Sequence, residues 1–287
     1  MKSEAQLSRH QLLFQQVVLI YQMPKIGSQT IEATLRQCAV PWPILRFHYL
    51  SPAFARTLRH GLTSRQADPA WKQNAQLQLN SLREKARTMR WRRLLCLCGF
   101  KLPKLYVISG VRELIGLVLA SIFENYSYFA PTIQEMTVEK CRDALMHPKT
   151  FKTLRDWFDL ELKPFTGVNV FGSSFPYEHG FAIYENRFAR VMVYRFESMN
   201  HLPALLSQFL HLEIPALVNS NLGDSKPYAD QYRSVRDQLT LPAELVTELY
   251  NTRMMRHFYS DAERRQFLAK WAEPRLQPRN TPNTRNM

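Results

Sequence analysis

The chain has 287 residues, of which 45% are hydrophobic and 12% aromatic, and this composition excludes a disordered or fibrous protein. At roughly 150 residues per domain, the length allows one large domain or two small ones. Lysine and arginine number 38 against 24 acidic residues, so the net charge of +14 favours anionic ligands: nucleotides, acidic glycans, nucleic acid or an anionic membrane surface.

The first predicted element is a strand over residues 17–23. This short uncharged run of β-branched and aromatic residues is typical of a parallel strand buried on both faces. A turn follows, and helical spacing of apolar residues begins at Thr30. We expect this helix to end before Pro41, because proline disfavours helical backbone in the residue that precedes it.

Two further strands are predicted over residues 44–50 and 105–111. An apolar stretch with helical character follows the third strand, from Arg112 through Phe129. Strands that alternate with helices predict an α/β fold with a mostly parallel sheet flanked by helices.

Between the second and third strands, residues 71–95 have the spacing of an amphipathic helix with basic residues clustered near its end. The cluster comprises Arg83, Lys85, Arg87, Arg90, Arg92 and Arg93. It is interpreted as the solvated face of a core helix, or as a contact for an acidic acceptor, a membrane surface or nucleic acid. Peripheral membrane association through residues 83–93 therefore stays open.

The second half of the chain predicts helical additions around a hairpin. Helices are predicted over residues 137–146, 150–161, 202–212, 228–239, 242–253 and 261–271, and the hairpin turns at residues 185–187 between two alternating strands. From residue 273 onward, prolines and the absence of apolar periodicity predict disorder. We expect one domain over residues 1–272 and a disordered basic tail rich in proline and asparagine over residues 273–287.

The cysteines and the apolar runs bear on the compartment. The four cysteines form no CxxC pair, which fits a reducing compartment and argues against a disulfide framework or a zinc site. The sequence has no charged-then-apolar N-terminal segment with a cleavage site, and no apolar run long enough to span a bilayer. A cytoplasmic protein without a metal is the resulting prediction.

The turn "PKIGSQT" at residues 24–30 combines the features of an anion site. Lys25 adds a mobile positive charge, Gly27 allows close approach, and the hydroxyl groups of Ser28 and Thr30 can donate to further oxygens. The backbone N–H groups and the dipole of the following helix add to these. The turn is neither the GxxxxGK[ST] loop of nucleoside triphosphatases, because lysine precedes its only glycine, nor the GxGxxG dinucleotide fingerprint.

The same seven residues resemble the PK-x-GS-x-[ST] loop of carbohydrate sulfotransferases that use 3′-phosphoadenosine 5′-phosphosulfate (PAPS). The resemblance implies a P-loop-like, sulfotransferase-like fold with PAPS as the donor. It also implies that the loop wraps the 5′-phosphosulfate of PAPS with Lys25, Ile26, Gly27, Ser28, Gln29 and Thr30.

A second element of that family is an arginine at the end of the third core strand and a serine eight residues later, both on the 3′-phosphate. Arg112 matches the arginine. The serine position is Ala120 here, so the neighbouring Ser121 is the candidate, and Leu114 replaces the family's usual proline.

Six downstream segments resemble, in this order, the bacterial family of capsular polysaccharide synthesis proteins, a branch of the sulfotransferase-like proteins. They are "SIFENYSYF", "WFDLEL", "FPYEHGFAIYE", "VMVYRFESM", "VNSNLGDSKPYADQY" and "RHFYSDAERRQFLAKW". This resemblance spans residues 17–271. It implies an enzyme that transfers a sulfuryl group from PAPS to a saccharide hydroxyl in capsular or other surface glycan synthesis.

Five residues are assigned roles around this transfer. Lys25 would stabilise the charge that develops on the leaving phosphate. His48, near the end of the second strand, is the first candidate for the base, since its unperturbed pKa suits neutral pH and some glycan sulfotransferases place a histidine there. Glu32 is the second, because other superfamily members use a glutamate. Lys226 and Tyr228 lie in a turn-rich segment interpreted as closing over the nucleotide.

Two other functions stay open. Leu114 and Ala120 motivate a nucleotide-binding protein of the same fold that has lost efficient transfer. The net charge and the basic cluster motivate a nucleic-acid-binding module, although nucleic acid is not an expected partner of the sulfotransferase.

Overall fold

The structure, a computed structural model, describes residues 16–51, 104–147, 150–218 and 226–274. The basic amphipathic helix predicted over residues 71–95 lies outside the described residues, as does all of the predicted tail except its first two residues.

The described residues contain a five-stranded sheet with the strand order β2-β1-β3-β5-β4. Its strands are β1 (Val18–Tyr21), β2 (Ile44–Phe47), β3 (Leu105–Val111), β4 (Phe181–Glu185) and β5 (Ala189–Arg195). All neighbouring pairs are parallel except β4 with β5, which form an antiparallel hairpin. The predicted mixed α/β fold with a mostly parallel sheet is confirmed.

Strand β1 lies between β2 and β3, and all four of its residues are buried. The uncharged sequence of β1 satisfies that environment because a central parallel strand is covered on both faces. The carboxyl ends of β1, β2, β3 and β5 meet at one edge of the sheet, since these strands run in the same direction. That edge is where open α/β sheets bind their ligands.

Helices flank the sheet. They are α1 (Ser28–Gln37), α2 (Leu114–Glu124), α3 (Val138–Met146), α4 (Lys152–Arg155), α5 (Lys163–Thr166), α6 (Leu202–Leu210), α7 (Ala229–Gln238), α8 (Ala243–Tyr250), α9 (Arg253–Phe258) and α10 (Asp261–Trp271). The predicted helical additions of the C-terminal half are therefore present.

Three predicted helices differ from the structure by more than their terminal residues. The apolar stretch after Arg112 becomes α2 only from Leu114, because the Glu113 carboxylate accepts from the backbone N–H groups of Ile115 and Gly116, each at 2.8 Å, and caps the helix. Helix α2 ends at Glu124, and a short 3₁₀ turn over Tyr126–Tyr128 follows.

The helix predicted over residues 150–161 is divided into α4 and a π-helical turn over Phe158–Leu162. Phe158, Glu161 and Leu162 are buried at the spacing of one face of an ordinary α-helix, so the sequence pattern predicts a continuous helix and gives no sign of the wider turn. The helix predicted over residues 242–253 ends at Tyr250, because Thr252 takes an extended conformation and caps a separate helix, α9.

Candidate anion site at the carboxyl edge of the sheet

The turn between β1 and α1 is fixed from inside the protein. Gln22 is buried, and its side-chain amide donates to the carbonyl of Ile26 at 2.9 Å. The hydroxyl of Tyr194, from β5, donates to the same carbonyl. The Ile26 side chain is buried as well, so the turn is anchored to the sheet at the point where α1 begins.

Two residues of this turn have left-handed backbone conformations, Lys25 with φ of 65° and Gly27 with φ of 78°. Gly27 is the N-cap of α1 and therefore leaves the first turn of the helix without a covering side chain. A Cβ at Gly27 would lie 3.0 Å from the terminal methyl of Met199, so both the conformation and the space favour glycine. The backbone N–H groups and the dipole at this helix N-terminus favour a bound anion.

Three cations lie around this helix N-terminus. Arg112, directly after β3, donates from Nη1 to the Lys25 carbonyl at 3.0 Å. Burial, followed by the positive charges of Lys226 and Arg112, lowers the pKa of Lys25 to about 8. The structure thus brings together Lys25, Arg112 and Lys226, three residues that are far apart in the sequence.

One carboxylate is also present in this site. Glu124, at the end of α2, forms an ion pair with the Lys25 ammonium. The side chains of Lys25 and Glu124 are 17% and 37% exposed, so the pair stands at the boundary with solvent.

The other predicted nucleotide residues lie next to the end of α2. The rings of Phe123 and Tyr228 have centroids 6.0 Å apart, which brings the segment that begins at Lys226 against this helix. Ser121 and Ala120 are both half-buried. Ser121 is three residues before Glu124 and therefore lies on a neighbouring part of the helix surface.

His48 follows β2 directly and is tied to the same turn. Its Nδ1 lies 2.8 Å from the carbonyl of Gln22. A carbonyl oxygen only accepts, so Nδ1 carries the proton and the lone pair of the neutral ring is on Nε2. The Trp157 indole donates to the backbone carbonyl of His48 at 3.0 Å and holds the residue from its other side.

Glu32 is held by two arginines. Arg36 Nη2 lies 2.9 Å from one carboxylate oxygen and Arg46 Nε lies 2.5 Å from the other. Burial acts to raise the pKa of Glu32, but the hydrogen bonds and charges of Arg46 and Arg36 outweigh it and leave the pKa below its usual value. A carboxylate stabilised in this way is a weaker base than a neutral imidazole.

Several residues at this site were not singled out from the sequence, among them Gln22, Glu124, Phe196 and Glu197. Gln22 had a signal, because a buried amide in an otherwise apolar strand needs hydrogen-bond partners. Phe196 and Glu197 directly follow β5. Because parallel strands end at a common edge of the sheet, a parallel β5 predicts that both residues lie near the anion site.

The described parts of the chain contain neither a metal-binding cluster nor a membrane-spanning helix. No group of three or more histidine, cysteine, aspartate or glutamate side chains is arranged to hold a metal ion in those ranges. No helix of residues 16–51, 104–147, 150–218 or 226–274 is both long and apolar enough to cross a bilayer.

Comparison with known proteins shows a similarity of part of the chain to a protein family. The family model described as "putative capsular polysaccharide synthesis protein" matches residues 135–260, less than half of the chain. The matched region includes β4, β5, Lys226 and Tyr228, whereas Lys25, His48 and Arg112 lie outside it. No curated protein and no solved structure matches the chain.

Proposed function

We propose that this protein is a PAPS-dependent sulfotransferase of the P-loop-like, sulfotransferase-like fold, which transfers a sulfuryl group to a saccharide hydroxyl in capsular or surface polysaccharide synthesis. The observation that carries the proposal is the convergence of Lys25, Arg112 and Lys226 on the N-terminus of α1. The similarity of residues 135–260 to a family described by capsular polysaccharide synthesis supports a saccharide acceptor.

The residues fit an anionic nucleotide with two separate charged groups. The turn from Lys25 to Thr30 would hold the 5′-phosphosulfate through backbone N–H groups, hydroxyls and the helix dipole. Arg112 suits the 3′-phosphate because its guanidinium can bind two oxygens at once. Ser121 would add a hydroxyl to that phosphate, and Lys226 with Tyr228 would close over the nucleotide.

The chain's residues would promote an in-line transfer. Bound PAPS supplies the activated sulfuryl group, whose bond to the phosphate oxygen breaks as the acceptor oxygen bonds to sulfur. His48 would take the acceptor proton on Nε2, the nitrogen that carries the lone pair when Nδ1 donates to Gln22. Lys25 would stabilise the negative charge that develops on the departing phosphate oxygen. Glu32 remains the second candidate for the base.

The proposal is tested by calorimetry with adenosine 3′,5′-bisphosphate, the product nucleotide. We expect the wild type to bind it more tightly than 5′-AMP. Arg112→Ala should lose about 10- to 100-fold in affinity for the bisphosphate, because a charge-assisted hydrogen bond contributes about 1.5–3 kcal/mol. Affinity of Arg112→Ala for 5′-AMP should change little. A folded wild type that binds neither nucleotide, or binds both equally, would contradict the proposal.

The Glu124→Gln variant gives a second prediction for the same site. Glu124 pairs with Lys25, so its carboxylate competes with any anion that Lys25 binds. We expect Glu124→Gln to bind adenosine 3′,5′-bisphosphate about 3- to 10-fold more tightly than the wild type, since close like charges oppose association. The measurement is the same titration, at low and high salt. Unchanged or weaker binding at low salt would show that Glu124 does not compete.

A second candidate function is a nucleotide-binding protein without efficient transfer. The half-buried Ala120, at the position of the family's serine, favours it because alanine offers no hydroxyl to a phosphate. Tight binding of the bisphosphate without transfer of radiolabelled sulfate to any of a panel of glycans would support this function.

A cytoplasmic location, and membrane association through residues 83–93, remain predictions from the sequence.

A further inference from the structure

The segment that follows β5 contacts the junction between β3 and α2 through two consecutive residues. The centroid of the Phe196 ring lies 4.3 Å from the Arg112 guanidinium carbon. One carboxylate oxygen of Glu197 accepts from the backbone N–H of Glu113 at 3.0 Å. One contact therefore holds the side chain of Arg112, and the other holds the backbone immediately after it.

The Glu197 carboxylate is in turn fixed by the C-terminal helices. Its second oxygen accepts from the Tyr259 hydroxyl at 2.8 Å. Burial, followed by the negative charge of Glu197, raises the pKa of Tyr259 well above its usual value, so the hydroxyl remains protonated and continues to donate. The Glu113 carboxylate also accepts from the hydroxyl of Tyr250, the last residue of α8.

A phenyl ring is a suitable partner for an arginine that must bind an anion. Lys25 and Lys226 lie nearby and repel Arg112, which therefore needs an attractive contact to stay in the site. A carboxylate partner would occupy the N–H donors of Arg112 and cancel its charge. The face of Phe196 attracts the cation without neutralising its charge and without using an N–H donor, so the guanidinium keeps its charge and the donors that do not bind the Lys25 carbonyl for a ligand.

We propose that Phe196 is a positioning residue that determines how well the protein distinguishes nucleotides with a 3′-phosphate from those without one. It acts by holding the Arg112 guanidinium, with Glu197 fixing the adjacent backbone. This inference rests on the proposed function, in which Arg112 binds the 3′-phosphate.

The test compares Phe196→Leu, which removes the ring at similar volume, with Phe196→Tyr, which keeps it. Calorimetry with adenosine 3′,5′-bisphosphate and with 5′-AMP gives the ratio of the two affinities for each variant. We expect this ratio to fall about 3- to 10-fold in Phe196→Leu, the effect of one partly buried cation–π contact, and to be retained in Phe196→Tyr. Affinity for 5′-AMP should stay near the wild-type value.

Phe188→Leu is a matched control, because the Phe188 ring also lies under an arginine, with its centroid 4.4 Å from the guanidinium carbon of Arg187. The ratio of the affinities of Phe188→Leu for adenosine 3′,5′-bisphosphate and 5′-AMP should equal the wild-type ratio. If Phe196→Leu fails to fold, Phe196→Met serves in its place.

The outcomes separate this inference from the proposed function. A wild type without preference for the bisphosphate contradicts the function and the inference together. A wild type with that preference, and a Phe196→Leu variant that keeps it or loses both affinities equally, overturns the positioning role alone.

Discussion

Replacement of Lys25 with methionine is expected to weaken the binding of adenosine 3′,5′-bisphosphate about 30- to 100-fold at pH 7. Methionine preserves the length of the side chain and its apolar stem, so the change removes mainly the charge. The ammonium is largely buried beside the N-terminus of α1, where a charge-assisted contact contributes about 2–3 kcal/mol. The control is Lys104→Met, because Lys104 also forms a carboxylate pair, with Glu185, at the far end of β3.

The same lysine should give the affinity a characteristic dependence on pH. Its pKa is lowered to about 8, so it is charged below that pH and loses its proton as the pH rises through it. An anionic ligand binds the charged form, and affinity should therefore be highest below pH 8 and fall about tenfold by pH 9. The phosphates of the ligand are almost fully ionised from pH 7 upward, because the second pKa of a phosphate monoester is about 6.

Calorimetry at pH 7, 8 and 9 checks this dependence. Uptake of a proton on binding at pH 9 should be visible when buffers of different ionisation enthalpy are compared. The Lys25→Met variant should bind weakly with no such fall, because it has no titrating group at this position. A wild type whose affinity is the same at pH 7 and pH 9 would exclude Lys25 as the charge that titrates.

The strands and the phosphate turn could be predicted from the sequence because their signals are local. The residues of β3 were predicted with their observed bounds. An uncharged run rich in β-branched residues predicts a buried parallel strand, whichever strands lie next to it in the sheet. The turn at residues 24–30 was recognised from its own glycine, lysine and hydroxyl residues. Arg112 was singled out through the resemblance to carbohydrate sulfotransferases, which place an arginine at the end of the third core strand.

The contacts that complete the site could not be predicted, because they depend on how separate elements are rotated against each other. The pair of Lys25 with Glu124 requires a particular orientation of α2, and that orientation is set by the cap at Glu113. The contact of Phe196 with Arg112 requires that β5 pair directly with β3. The spacing of residues within α2 or within β5 does not indicate how α2 is oriented or which strand β5 pairs with.

The π-helical turn and its buried glutamate support the largest stability prediction. Glu161 is 1% exposed and accepts four hydrogen bonds at one point of the structure. Their donors are the Tyr21 hydroxyl at 2.5 Å, the backbone N–H groups of Leu50 and Ser51 at 2.9 Å each, and the Ser51 hydroxyl at 2.7 Å. Burial, followed by the charge of Glu161, raises the pKa of Tyr21 well above its usual value, so this donor stays protonated.

Glu161→Leu is therefore expected to lower the free energy of unfolding by about 3–5 kcal/mol, because a buried polar cluster that loses one partner keeps unsatisfied groups in the interior. Denaturant unfolding measures this change. Glu178→Leu is the control, since Glu178 is exposed and its replacement should stay within about 0.5 kcal/mol. A Glu161→Leu variant within about 1 kcal/mol of the wild type would contradict the prediction.

The milder Glu161→Gln variant connects this cluster with the candidate base. Glutamine keeps one acceptor oxygen and can donate its NH₂ to the Ser51 hydroxyl, but it removes the negative charge that strengthens the hydrogen bonds from Leu50 and Ser51. The turn over residues 48–51 should therefore loosen before the whole protein unfolds. Hydrogen exchange should then show faster exchange of the Leu50 and Ser51 amides, with the amides of β3 unchanged. Because His48 begins this turn and contacts Gln22, its Nε2 would no longer be held at the edge of the anion site. Equal acceleration of exchange in β3 would mean that Glu161 stabilises the whole domain and has no separate effect on the turn that carries His48.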